Sequence, residues 1–202
     1  MLALARDPVT LVSVLVTVAI AITAHEFAHA WRADRAGDPT PRASGRLTLN
    51  PAAHFDLVGS LLFVIVGFGW AKPVPINPAN FRRPRHDSIM VSLWGPASNL
   101  LLGLASGLLF RALAPTGTYG LLALLSVFTR LNINLAVFNL IPLPPLDGSH
   151  ILAGLLPPRG AYKFEMWGRR YGMFALLIVI FVGLEYVYPY VLVPLYRLFL
   201  GL

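Results

Sequence analysis

Cysteine is absent from all 202 residues. That excludes disulfides and any thiolate metal site, and it leaves the redox compartment unread. Charge is scarce too. Asp, Glu, Lys and Arg together make 12% of the chain, about half of what a soluble domain carries. Acids are the scarcer sign, nine against sixteen Lys and Arg. No internal repeat is visible, so the paired halves common in transporters are missing. What is plentiful is apolar: 56% of the residues are hydrophobic. The chain reads as one integral-membrane domain over residues 1–202, with a core at about residues 9–155 and a C-terminal span at about 171–202.

A net charge of +7 brings nucleic acid to mind as a partner. The arginines, however, fall in short loops beside apolar spans, which is the positive-inside pattern of a multi-pass cell-membrane protein. The expected partner is the bilayer, not nucleic acid. Residues 8–30 form the first span, followed by a basic and therefore cytoplasmic stretch with Arg32, Arg35, Arg42 and Arg46. Residues 45–51 alternate enough for a short strand or hairpin arm.

Residues 57–69 are apolar but reach only about 20 Å as a helix, short of a bilayer core of about 30 Å. Basic residues flank them on both sides, so the segment is expected to dip in and return. Residues 72–78, with Pro73, Pro75 and Pro78, cannot be helical and suit an extended edge. Residues 88–113 and 118–140 are two further spans. Gly95 to Asn99, followed by small residues, reads as a packing seam in which Asn99 can hydrogen-bond across a helix pair. Arg130 faces inward or snorkels. Beyond a basic stretch at 159–170, residues 171–202 add one span or two. The expected fold is all-α and polytopic, with four to five transmembrane helices, a re-entrant segment and a short membrane-associated β element.

Chemistry concentrates in two places. His25-Glu26-Phe27-Ala28-His29 ends the first apolar run. Four residues apart on a helix, His25 and His29 leave one face and can share a metal ion, with Glu26 placed to polarise a water. Zinc suits imidazole ligands. A cleaved signal peptide would also fit Ala28-His29-Ala30, but cleavage there would discard the motif. The second place is Asn139 to Gly148, where Pro142, Pro144 and Pro145 break the helix. Asp147 there is either a third zinc ligand or the N-cap of a following helix. Counting spans puts it on the side of the two histidines. His54 is an interfacial histidine or a loop residue reaching the site, while His86 and His150 suit solvent or packing.

His-Glu-Phe-Ala-His in an early apolar helix, paired with Asn-Leu-Ile-Pro-Leu-Pro-Pro-Leu-Asp-Gly later, resembles the site-2 protease family of intramembrane zinc metalloproteases. Gly45 to Pro51 and Gly95 to Asn99 resemble further stretches of its compact prokaryotic members, without room for a PDZ or nucleotide-sensing domain. The resemblance implies one Zn2+ held by His25, His29 and Asp147, Glu26 as general base, and Asn139 near the substrate carbonyl or oxyanion. It also implies a transmembrane protein or peptide as substrate and an active site toward the cytoplasm. An unwound substrate would be received by β-addition at residues 47–49 or 73–78. The competing function is a membrane-embedded metal transporter using the same His, Glu and Asp set. Substrate identity and oligomeric state are not written in the sequence.

Overall fold

The computed structural model describes residues 7–66 and 69–201. α1 runs Pro8–Ala36, further than the apolar run because Trp31, Ala33 and Ala36 continue to pack. Asp7 caps it: one carboxylate oxygen accepts from Val9 N at 3.1 Å, and the other from Thr10 Oγ1 at 2.6 Å. Gly37, with φ 109°, ends it in the left-handed region. The short helix α2 (Thr40–Ala43) follows. Then come α3 (Leu57–Val66), α4 (Pro84–Leu113), α5 (Tyr119–Asn139), α6 (Asp147–Leu155), α7 (Pro158–Ile178), α8 (Leu184–Val187) and α9 (Val193–Leu200). Wider π turns at Val179–Gly183 and Tyr188–Leu192 keep α7, α8 and α9 nearly continuous.

Among the described residues four helices are long and apolar enough to cross a bilayer: Pro8–Ala36, Pro84–Leu113, Tyr119–Asn139 and Pro158–Gly183. The protein is a multi-pass, all-α membrane protein. The last of these spans begins before the expected residue 171: the basic stretch at 159–170 forms the first turns of α7.

α1, α4 and α5 make the core. Polar contacts fix their directions. His25 meets Asn99, His29 meets Val91 O and Arg32 meets Asp87, so α1 and α4 are antiparallel. Asn99 meets Asn132 and Ser106 meets Thr129, which sets α5 antiparallel to α4. The buried side of α1 is small: Ser13, Thr17, Ala21, Ala28 and Ala33 lie on it. Small residues let helices approach where lipid offers no hydrophobic drive. Large apolar side chains such as Val12, Leu101 and Leu108 point outward instead, the arrangement expected when the surrounding solvent is hydrocarbon. α9 closes the far end, with Tyr196 and Leu200 packed on Ile133.

The short β element expected at residues 45–51 is not formed. Among the described residues there is no strand, only an isolated antiparallel bridge between Phe55 and Ala71. Local side chains take up the backbone that a ladder would need. Arg46 is buried and donates to the carbonyls of Ala53 and Pro73. His54 Nε2 lies 2.8 Å from Thr48 O, and Asn50 Oδ1 accepts from Ala52 N to cap a 3-10 turn at Pro51–Ala53. Alternating side chains are not enough when the carbonyls are already bonded.

The expected re-entrant segment includes residues 67 and 68, which lie outside the described residues. On either side of it the backbone meets: Lys72 N donates to His54 O at 2.8 Å. Further out, Arg82 N donates to Ala36 O at 3.1 Å, so α4 starts where α1 ends.

Candidate metal centre and active site

α1 carries His25 and His29 on the face it turns to α4, and both are buried. A chain of donors orients His25. Phe128 O can only accept, so Asn132 Nδ2 donates to it at 2.9 Å and leaves Asn132 Oδ1 to accept. Asn99 Nδ2 donates to that oxygen at 2.9 Å and to Ala21 O at 3.0 Å. Asn99 Oδ1 therefore accepts from His25 Nδ1 at 2.7 Å. His29 Nδ1 lies 2.8 Å from Val91 O, another obligatory acceptor. In both neutral rings the proton sits on Nδ1, and Nε2 presents a lone pair.

Those two Nε2 atoms face each other at 3.0 Å. Asp147 Oδ2 lies 3.1 Å from the first and 3.3 Å from the second. This oxygen is buried and has no hydrogen-bond partner among the described residues. Three electron-pair donors thus converge on one point. A single proton would serve one of the three contacts; a metal ion serves all of them. The donor set fits a metal, and the oxygens of Asn99 and Val91 that accept from the two Nδ1–H groups are the supports that metal-binding histidines usually have.

Space for this convergence comes from Gly95. A Cβ there would overlap His29 Nε2 and crowd His25 Cε1. Next to it, Trp94 packs on Trp31 with ring centroids 5.1 Å apart, and the Arg35 guanidinium lies 5.1 Å from the Trp31 ring.

Asp147 reaches the histidines because Pro142, Pro144 and Pro145 end α5 and turn the chain. Leu146 N donates to Leu143 O at 2.9 Å within that turn. Asp147 is the first residue of α6 and makes no cap there; the capping position is Leu146. Glu26 is half-buried beside the group, and its Oε2 accepts from Val74 N at 3.1 Å. The Pro-flanked Val74 segment, which has no regular secondary structure, thereby sits against the acid of the motif.

Asn139 ends α5, and its Nδ2 donates to Leu135 O at 2.9 Å instead of meeting the histidines. His54 is fully buried, held to Thr48 O, and is not in the three-residue group. Arg130 is exposed, its guanidinium 5.4 Å from the Tyr196 ring. Beside the site is an apolar cavity of about 690 Å³. Leu15, Ala19 and Ile22 line it from α1, and Leu131, Leu135 and Phe138 from α5. His25, Glu26, His29 and Asp147 do not line it; Ile22, which does, is one helical turn before Glu26.

A model of peptidase family M50 matches residues 106–180. YwhC of Bacillus subtilis, named as a zinc metalloprotease, is 40% identical over 183 residues, covering 87% of this chain and 83% of its own. This chain belongs to peptidase family M50, the site-2 protease family. Rip2 of Mycolicibacterium smegmatis, likewise named as a zinc metalloprotease, is 31% identical over 166 residues, 78% of this chain and 62% of its own. No solved structure matches the chain. The M50 member described here is a membrane metalloprotease.

Two parts of its site are not apparent in the sequence. The seam at Gly95 to Asn99 turns out to hold His25 in its tautomer and to leave room for both imidazoles. The signal that pointed there was an amide side chain inside an apolar span. Val91 O left no signal, because every residue has a carbonyl.

Proposed function

We propose that this M50 member is an intramembrane zinc metalloendopeptidase. It cuts peptide bonds within or beside transmembrane segments of other membrane proteins, with residues 1–202 acting as one domain. The observation that carries the proposal is the convergence of His25 Nε2, His29 Nε2 and Asp147 Oδ2 next to Glu26. In this reading the three hold one Zn2+, and two imidazoles with a carboxylate suit zinc while leaving a position open. The names of YwhC and Rip2 support that choice of metal.

Zinc held there supplies Lewis acidity for the attack of water on a peptide carbonyl. The protein's own groups do the rest. Val74 N–H holds Glu26 Oε2, so Oε1 takes the proton of the attacking water and returns it to the leaving amine. Asn99 and Val91 O keep the imidazole protons on Nδ1, away from the metal side. Asn139 stabilises the oxyanion once its amide releases Leu135 O. The apolar cavity takes side chains of the substrate segment and keeps bulk water out. An active site toward the cytoplasm is supported by Arg35, Arg42, Arg82, Arg83 and Arg85 at that end of α1 and α4.

The test is zinc content and cleavage of a helical membrane substrate by the full chain in detergent. Glu26→Gln should keep zinc and lose about 10²–10⁴-fold in turnover, the worth of a general base. Asp147→Ala should lose both zinc and cleavage. Near wild-type turnover by Glu26→Gln with zinc bound would overturn the mechanism, and zinc transport into vesicles without cleavage would overturn the function.

A further inference from the structure

α7 touches the rest of the protein along one narrow line. Gly168, Gly172 and Leu176 are its buried residues, spaced four apart on a single face. Around them Met166, Trp167, Tyr171, Met173 and Phe174 are exposed. The two glycines form a notch, and Pro144 fills it. A Cβ on Gly168 would stand 2.5 Å from Pro144 Cγ, and one on Gly172 would stand 3.0 Å from both Pro144 Cβ and Pro144 O. Pro144 is three residues before Asp147.

Between those two positions the chain has little freedom. Pro144 and Pro145 fix two backbone dihedrals. Leu146 is buried, its N–H bonded to Leu143 O at 2.9 Å, and Leu146 O receives both Ser149 N at 3.0 Å and Ser149 Oγ at 2.7 Å. A shift of Pro144 is therefore passed on to Asp147 and not absorbed in a loose loop. Asp147 Oδ2 has no hydrogen bond of its own to hold it beside the histidines. We propose that Gly168 and Gly172 are positioning residues for the metal: the α7 notch seats Pro144 and so sets where the Asp147 carboxylate stands. The inference rests on the reading of Asp147 as a zinc ligand. It gives α7, otherwise largely exposed, a direct hold on zinc retention.

The geometry makes an asymmetric prediction. In Gly168→Ala the new methyl meets chiefly the ring carbon Cγ, and the next contact, Pro144 Cβ, is at 3.3 Å. Pro144→Ala removes that ring carbon. In Gly172→Ala the methyl meets Cβ and the carbonyl oxygen, which Pro144→Ala leaves in place. The full chain in detergent is titrated with zinc against a competing chelator, and the zinc-free protein is melted in parallel.

Gly168→Ala should weaken zinc binding by about 10–100-fold, the usual loss when support for a ligand is removed. Adding Pro144→Ala should bring it back to within about threefold of Pro144→Ala alone, a coupling expected only of residues in contact. Gly172→Ala should weaken binding as well, and the same second substitution should not restore it. Melting of the zinc-free variants should not fall, since alanine favours a helix over glycine. Unchanged zinc affinity in both glycine variants, or a loss at Gly168 that Pro144→Ala does not relieve, overturns the inference. So does failure of both variants to fold, because the notch would then serve the fold and not the metal. Wild-type protein that binds no zinc brings down the ligand reading itself, a separate outcome read in the same titration.

Discussion

Asn99 shows how much a single buried amide decides. It is fully buried, and each of its three hydrogen bonds has a fixed direction, two donated and one accepted from His25. Asn99→Ala removes the acceptor of the His25 proton and strands the Asn132 oxygen. We expect zinc affinity to fall about 10–100-fold, as for other partners of metal-binding histidines. Stability should fall by about 1–3 kcal/mol for the unpaired groups left behind. Competition with a chelator and thermal melting in detergent measure the two losses separately. At this scale the sequence was half legible. The spacing of His25, Glu26 and His29 on a helix is fixed by geometry, and the three prolines before Asp147 announce a turn. What holds the imidazoles comes from α4 and α5, far away in sequence, and no local pattern encodes a contact between Asn99 and His25.

Among the elements, the end of α1 is tied to the stretch before α4 through Asp38. Its Oδ1 accepts from Thr40 N at 3.1 Å, Thr40 Oγ1 at 2.6 Å and Asn80 Nδ2 at 2.8 Å, and its Oδ2 accepts from Asn77 N at 2.7 Å. Burial pushes this carboxyl up, but the hydrogen bonds from Asn80, Thr40 and Asn77 outweigh it and hold the group below the usual carboxylate value. A carboxyl lowered on folding stabilises the protein above its unfolded value of about 3.9 and loses that contribution as pH falls further. Asp38→Asn should melt lower than wild type at neutral pH and show a flatter decline below about pH 4, followed by thermal melts across an acid series. The helix spans were legible because length and hydropathy are local. The strand expected near residue 47 was not formed because Arg46 turned inward to the Ala53 and Pro73 carbonyls. The last span was expected only from residue 171 because the basic residues at 159–170 mask a helix whose buried residue there is a glycine, Gly168.

For the whole molecule, the contact between Arg82 N and Ala36 O is a statement about topology. α4 starts where α1 ends, so Arg35 on the last turn of α1 and Arg83 at the start of α4 are expected to share a compartment. Single cysteines at those two positions, placed in a chain that has none of its own, should react with an impermeant reagent from one and the same side only. Labelling from opposite sides would separate α1 from α4 and dissolve the site built between them. Most of α7 is exposed, whereas α1, α4 and α5 turn small and polar residues to one another. His25 and His29 belong to this tighter core.

The indole pair at the site has an optical consequence. Trp31 follows His29 by two residues, Trp94 precedes Gly95, and their rings are 5.1 Å apart. Two chromophores that close exchange excitation, so near-ultraviolet ellipticity and emission become functions of the distance between α1 and α4. With Trp70 and Trp167 replaced by Phe, the protein would report the occupancy of its own centre as a change in light, without a dye and without a substrate.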